Sequence, residues 1–106
     1  MYLLFHFFLE DQAIAVDVTV DGRVLVSTLG PDGPYIKAYQ LENLALIWQT
    51  RLFWLAHCIK IHENVAFASV SGDGVWVMDL KTGDVLRRYR VVLGKNTHRL
   101  VIIPGR

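Results

Sequence analysis

Apolar and polar residues alternate along most of this chain, and the alternation is broken at short intervals by Gly, Pro, Asn and Asp. Ala13 to Val20 (AIAVDVTV) alternates and ends at Asp21-Gly22, a dipeptide suited to the positive φ angles of a tight hairpin. Val24 to Leu29 is the predicted return strand, and Gly30 to Pro34 (GPDGP) a five-residue turn. Tyr35 to Leu41 makes a third strand, Glu42-Asn43 a turn, and Leu44 to Thr50 a fourth. Arg51 to Ala56 crosses over, and the cycle restarts with His57 to Ile61, Val65 to Val70, Val75 to Leu80 and Val85 to Val92, separated by turns at His62 to Asn64, Ser71 to Gly74 and Lys81 to Asp84. No segment sustains a period near 3.6 between helix caps, so the pattern predicts an all-β chain.

The cycle repeats with a period of about 41 residues: Val18, Ile59 and Leu100 recur in phase, as do Val16, His57 and His98. A period of that size with four strands per repeat predicts the blades of a β-propeller. The predicted organisation is a partial β-propeller over 1–106, with two four-stranded antiparallel blades and flanking strands. Residues 1–12 (MYLLFHFFLEDQ) fall where a preceding blade would end. Residues 13–56 and 57–97 are the blades, and 98–106 begins a following one. Closing a ring takes roughly four blades or more, so the chain reads as a slice of a larger propeller. A self-contained small sandwich or barrel is the competing architecture that the length allows. The predicted core is Val16, Val18, Val20, Val24, Val26, Ile36, Ala38, Ile59, Ile61, Ala66, Ala68, Val75 and Val77.

In the second repeat, His57, Ile59, Ile61, the run Val65 to Ser69 and the run Gly72 to Gly83 (GDGVWVMDLKTG) together resemble a WD-type repeat. They also resemble the quinoprotein-like propeller repeat, which ends in a similar D-x-x-T-G turn. The WD resemblance implies a structural hydrogen-bonded set in which His57, Ser69 and Asp73 fill three roles. Met78 stands where the family's Trp precedes Asp79. In the first repeat Val16 matches His57, Thr28 matches Ser69, Asp32 matches Asp73, and Tyr39-Gln40 replaces the Trp-Asp pair. Independently of any family, Asp79 suits the capping of backbone N–H groups in the DLKTGD turn and Gly83 suits a left-handed position.

Composition narrows the function classes. Eleven Lys+Arg against ten Asp+Glu, a formal net charge of +1, carry no overall electrostatic footprint for nucleic acid or an acidic membrane surface, so neither partner is expected. The single cysteine, Cys58, has no internal disulfide partner; it reads as a small packed thiol in a reducing, cytoplasmic setting. The apolar start lacks the basic n-region and small-residue cleavage site of a signal peptide.

No catalytic or cofactor motif emerges. His57 and His62 lie on opposite faces of an extended run and cannot share a metal. His57 and His98 are repeat equivalents that read as structural. Gly94 to Thr97 lacks the first glycine of a phosphate loop and is followed by no helix. Arg87, Arg88, Arg90 and Lys95 read as charges that protect an edge strand from pairing. Phe53 and Trp54 lie in the crossing between repeats and are expected to wedge between the blades or project from a binding face.

The expected role is a non-catalytic scaffold for other proteins, with no cofactor and no metal; self-association through the incomplete blades is a further expectation. The alternative is part of a quinoprotein-like enzyme or assembly factor. Any partner site is expected at the end bearing Asp32, Tyr35, Trp54, Asp73, Lys95 and Asn96, where the up-and-down order gathers loops on a rigid frame. His57, Ser69, Asp73, Asp79 and Gly83 are the expected structural residues.

Overall fold

The computed structural model describes residues 12–90, and every regular element among them is a β-strand. Strands β1 (Gln12–Val18), β2 (Arg23–Gly30), β3 (Gly33–Gln40) and β4 (Leu46–Arg51) form one antiparallel sheet in sequence order. Strands β5 (Ala56–His62), β6 (Val65–Val70), β7 (Gly74–Asp79) and β8 (Val85–Tyr89) form a second. Each sheet is a simple meander because its turns are too short to let a strand skip its neighbour. Of the flanking segments expected at 1–12 and 98–106, all but Gln12, which opens β1, lies outside the described residues.

Several boundaries differ from the sequence reading. The GPDGP stretch is a two-residue hairpin rather than a five-residue break. Gly30 pairs with Gly33, leaving only Pro31 and Asp32 in the turn. The first strand stops at Val18, since Thr19 Oγ1 accepts the N–H of Arg23 and folds the chain back early.

The spacing of about 41 residues is an average over unequal turns, and register assigns the true counterparts. Val18 pairs with Val24 as Ile61 pairs with Ala66, so Ile61, not Ile59, is the counterpart of Val18. Ser27, not Thr28, corresponds to Ser69. His57 is the extra residue of a β-bulge between Ala56 and Cys58, and Ile14, rather than Val16, occupies the matching bulge in β1.

The two sheets stack face to face around one continuous core. Leu25, Ile36, Ala38, Trp48 and Leu52 of the first blade meet Ile59, Ala66, Ala68, Trp76 and Met78 of the second. Val24 and Val26 are also buried but belong to the opposite face of the first sheet, where Tyr39, Leu41 and Leu44 cover them. Both faces of this blade are therefore apolar, as suits a sheet packed between layers.

The expected core needs correction where period-2 alternation does not say which face is covered. Val16 and Val18 are 49% and 46% exposed, and Val20 stands fully in solvent in the turn after β1. In β7 the deeply buried face is Trp76 and Met78, with Val75 only half-buried.

Polar contacts fix the blades to each other. Trp48 Nε1 donates to the carbonyl of Leu80 at 3.0 Å, and Arg23 Nη1 donates to the same oxygen at 2.9 Å. Thr50 Oγ1 donates to the carbonyl of Gly83 at 2.6 Å, Ser27 Oγ to that of Ala56 at 2.7 Å, and the Ile61 N–H reaches Asp17 Oδ2 at 2.9 Å. Gly83, at φ +79°, lies against the Trp48 ring so closely that a Cβ would overlap it. The interblade wedge is thus Trp48, and not the Phe53-Trp54 pair.

Candidate functional site

Alternating strand direction sorts the connections into two ends. One end carries the turns β1–β2, β3–β4, β5–β6 and β7–β8. The other carries the turns β2–β3 and β6–β7 and the crossing from β4 to β5.

The crossing is held at both flanks. The Leu52 N–H donates to the carbonyl of Pro34 at 3.0 Å, and the Ser71 N–H donates to that of Leu55 at 2.8 Å. Leu52 is buried, and this anchors the segment. Phe53 and Trp54 between these ties are 67% and 60% exposed. Two large aromatic side chains are thereby presented to solvent on backbone that the neighbouring turns hold in place.

Asp73 organises the next layer. Its carboxylate accepts Trp76 Nε1 at 2.6 Å and two nitrogens of Arg88 at 3.0–3.2 Å, with Arg90 Nε at 3.6 Å. The Trp76 indole donation first, and Arg88 after it, hold the Asp73 carboxyl below the ordinary carboxylate value. The Arg88 guanidinium lies 4.6 Å from the Phe53 ring centre and 4.9 Å from that of Trp76, and the two rings meet edge to face at 5.4 Å. Arg88 thus links the crossing to the edge of the second blade, a role that treating β8 as simple charged edge protection misses. The signal was present in sequence, since an Asp three residues before a Trp and an Arg on the next strand bring such groups to one cross-strand site.

Of the other expected partner-binding residues, Asp32 and Tyr35 fall at the same end. Asp32 is exposed at the tip of its hairpin, and Tyr35 lies two residues beyond Gly33, with Arg51 and Lys37 cations 5.8 and 5.6 Å from its ring centre. Lys95 and Asn96 lie outside the described residues.

The expected structural residues occupy separate places. Asp79 Oδ1 accepts the N–H groups of Lys81 and Thr82, while its carbonyl accepts that of Gly83. Ser69 is buried within β6, and His57 is half-buried at its bulge. Cys58 is a half-buried free thiol.

The opposite end contains an open cleft of about 760 Å³ between the blades, bordered by Asp17, Arg23, Lys60, Glu63, Asp79 and Lys81. Its charges are of both signs. No group of three His, Cys, Asp or Glu residues that could hold a metal ion occurs among the described residues.

Two successive four-stranded meanders, packed face to face with each outermost strand edge-exposed, define a β-propeller architecture. The fold is similar to the crystal structure of BamB from Moraxella catarrhalis, a β-propeller protein, with a TM-score of 0.69 and 14% sequence identity. The match covers 79% of this chain and 25% of that one, so the chain spans about a quarter of the length of the protein it resembles. No family model and no curated protein matches the chain.

Proposed function

We propose that this chain is a non-catalytic propeller scaffold that binds another protein through its crossing end. The observation that carries this reading is the exposure of Phe53 and Trp54 on a segment pinned at both flanks. Solvent-facing aromatics on ordered backbone lose little conformational entropy on binding and are favoured as interface anchors. Asp32 and Tyr35 extend the surface around them, Asp73 supports it from beneath through Arg88, and Lys95 and Asn96 are proposed to complete it.

The test is capture of partners by the parent protein and by Trp54→Ala and Asp32→Ala, after confirming that all three melt alike. Loss of the same captured protein in both variants is expected. Capture undiminished in both removes the crossing end as the site.

A further inference from the structure

Among the described residues, the two ends differ in charge as well as in shape. Asp17, Asp21, Glu42, Glu63, Asp79 and Asp84 all lie in or beside the turns of the cleft end, against Arg23, Lys60 and Lys81. Among the described residues, the carboxylates at the crossing end are Asp32 and Asp73, against Arg51, Arg88 and Arg90. Asp73 is almost fully covered and its charge is shared: Arg88 takes it at 3.0 Å and Arg90 reaches it only at 3.6 Å while remaining 79% exposed. Arg51 is exposed and rests against the Tyr35 ring, with no carboxylate within ion-pair distance among the described residues. Two guanidinium groups thus remain with little or no local neutralisation at the end that carries the exposed Phe53-Trp54 pair.

We infer that the partner segment taken by the crossing end is an acidic peptide carrying apolar side chains. Its carboxylates pair with Arg51 and Arg90, and its apolar groups pack on Phe53 and Trp54. This rests on the proposed role of the crossing end as a protein-binding surface. Arginine suits the task because its planar fork donates two parallel hydrogen bonds to a carboxylate while its face stays on an aromatic ring, as that of Arg51 already does on Tyr35. The carboxylates of the far end repel an acidic chain and disfavour the reversed orientation.

The experiment measures fluorescence anisotropy of three fluorescein-labelled peptides, repeats of Glu-Glu-Phe, Ser-Ser-Phe and Lys-Lys-Phe, and of a single-stranded oligonucleotide, with the full chain. The Glu peptide is expected to bind about tenfold or more tighter than the Ser peptide, with the preference shrinking as salt rises. Arg51→Glu with Arg90→Glu should abolish that preference, and Trp54→Ala should weaken both peptides alike.

Equal binding of the Glu and Ser peptides overturns the acidic-partner inference, while a loss on Trp54→Ala leaves the crossing-end reading standing. Indifference of every peptide to Trp54→Ala overturns the crossing-end reading itself. Tighter binding of the oligonucleotide than of the Glu peptide overturns the inference in favour of nucleic acid, and absence of binding by any peptide overturns it outright. Charge-neutral variants Arg51→Gln and Arg90→Gln, with an intermediate loss expected, guard against a folding defect in the reversals.

Discussion

Trp48 of the first blade donates its indole N–H to the carbonyl of Leu80 in the second, 3.0 Å away, with Gly83 of the same turn lying bare against the ring. This pair converts a hydrophobic contact between two sheets into a fixed register, because only one placement of the turn satisfies both the N–H and the ring face. Trp48→Phe keeps most of the packing and loses the hydrogen bond, for an expected cost of about 1 kcal/mol. Trp48→Ala also leaves a cavity, and about 3–5 kcal/mol is expected. Gly83→Ala combines a left-handed backbone with overlap of the ring, at about 1–3 kcal/mol. Urea unfolding measures all three; a Trp48→Ala protein as stable as its parent would dismiss the clamp.

Ile59 and Val20 separate the packed face from the exposed one. Ile59 is buried in the interblade core, so Ile59→Asp should unfold the protein by placing an unpaired charge there. Val20 projects into water, and Val20→Asp should change stability by no more than about 0.5 kcal/mol. Thermal melts of the two variants check the assignment, and similar behaviour of both would show that the buried face has been misplaced.

Asp73 makes the edge of the second blade sensitive to acid. Its folded-state carboxyl titrates below the ordinary value of 3.8 because Trp76 donates to it and Arg88 pairs with it. The contribution is therefore complete above the unfolded-state value and is lost as pH falls through the lower folded-state one. Asp73→Asn should lower stability near neutral pH and flatten the decline on acidification. Parallel stability curves for parent and variant from neutral pH down to acid would contradict this.

Leu44 and Arg87 set what the internal interface is able to repeat. The turn at Leu44 has the same backbone bonds as that at Gly83: Leu44 N–H to the Gln40 carbonyl at 2.7 Å, and Gly83 N–H to that of Asp79 at 2.8 Å. Leu44 likewise has a positive φ, 59°, but it fills the platform with a side chain packed over Val24 and Val26. By strand register Arg87 is the counterpart of Trp48. Two copies stacked head to tail in the manner of the two blades would set an arginine against a leucine where the internal interface sets a tryptophan on a glycine. Leu44→Gly with Arg87→Trp is expected to associate at lower concentration than the parent in sedimentation velocity. An unchanged sedimentation profile would show that these positions do not control stacking.

Much of the architecture was legible without coordinates. Period-2 alternation and the positions, though not the lengths, of the turns at Asp21-Gly22, GPDGP and DLKTGD are local properties, and local backbone preference plus strand pairing determines a meander almost by itself. The repeat announced two blades for the same reason. Asp79 acts within its own turn, whereas Gly83 combines a left-handed turn position that is local with a close approach to Trp48 that only the other blade creates.

Tertiary structure alone decided which faces meet and which aromatics are left in water. Val16 and Ile36 alternate equally well, yet one stands half-exposed and the other is buried, because burial depends on the neighbouring sheet and not on the strand's own pattern. Trp48 and Trp54 are the same residue type six positions apart. One is held by a carbonyl in the other blade, and the other is turned outward by backbone ties at Leu52 and Leu55. Asp73, Trp76 and Arg88 meet through one turn and one strand pair, but setting Phe53 against Arg88 and Trp76 required the crossing to fold onto that blade, and short-range sequence spacing carries no record of such long-range proximity.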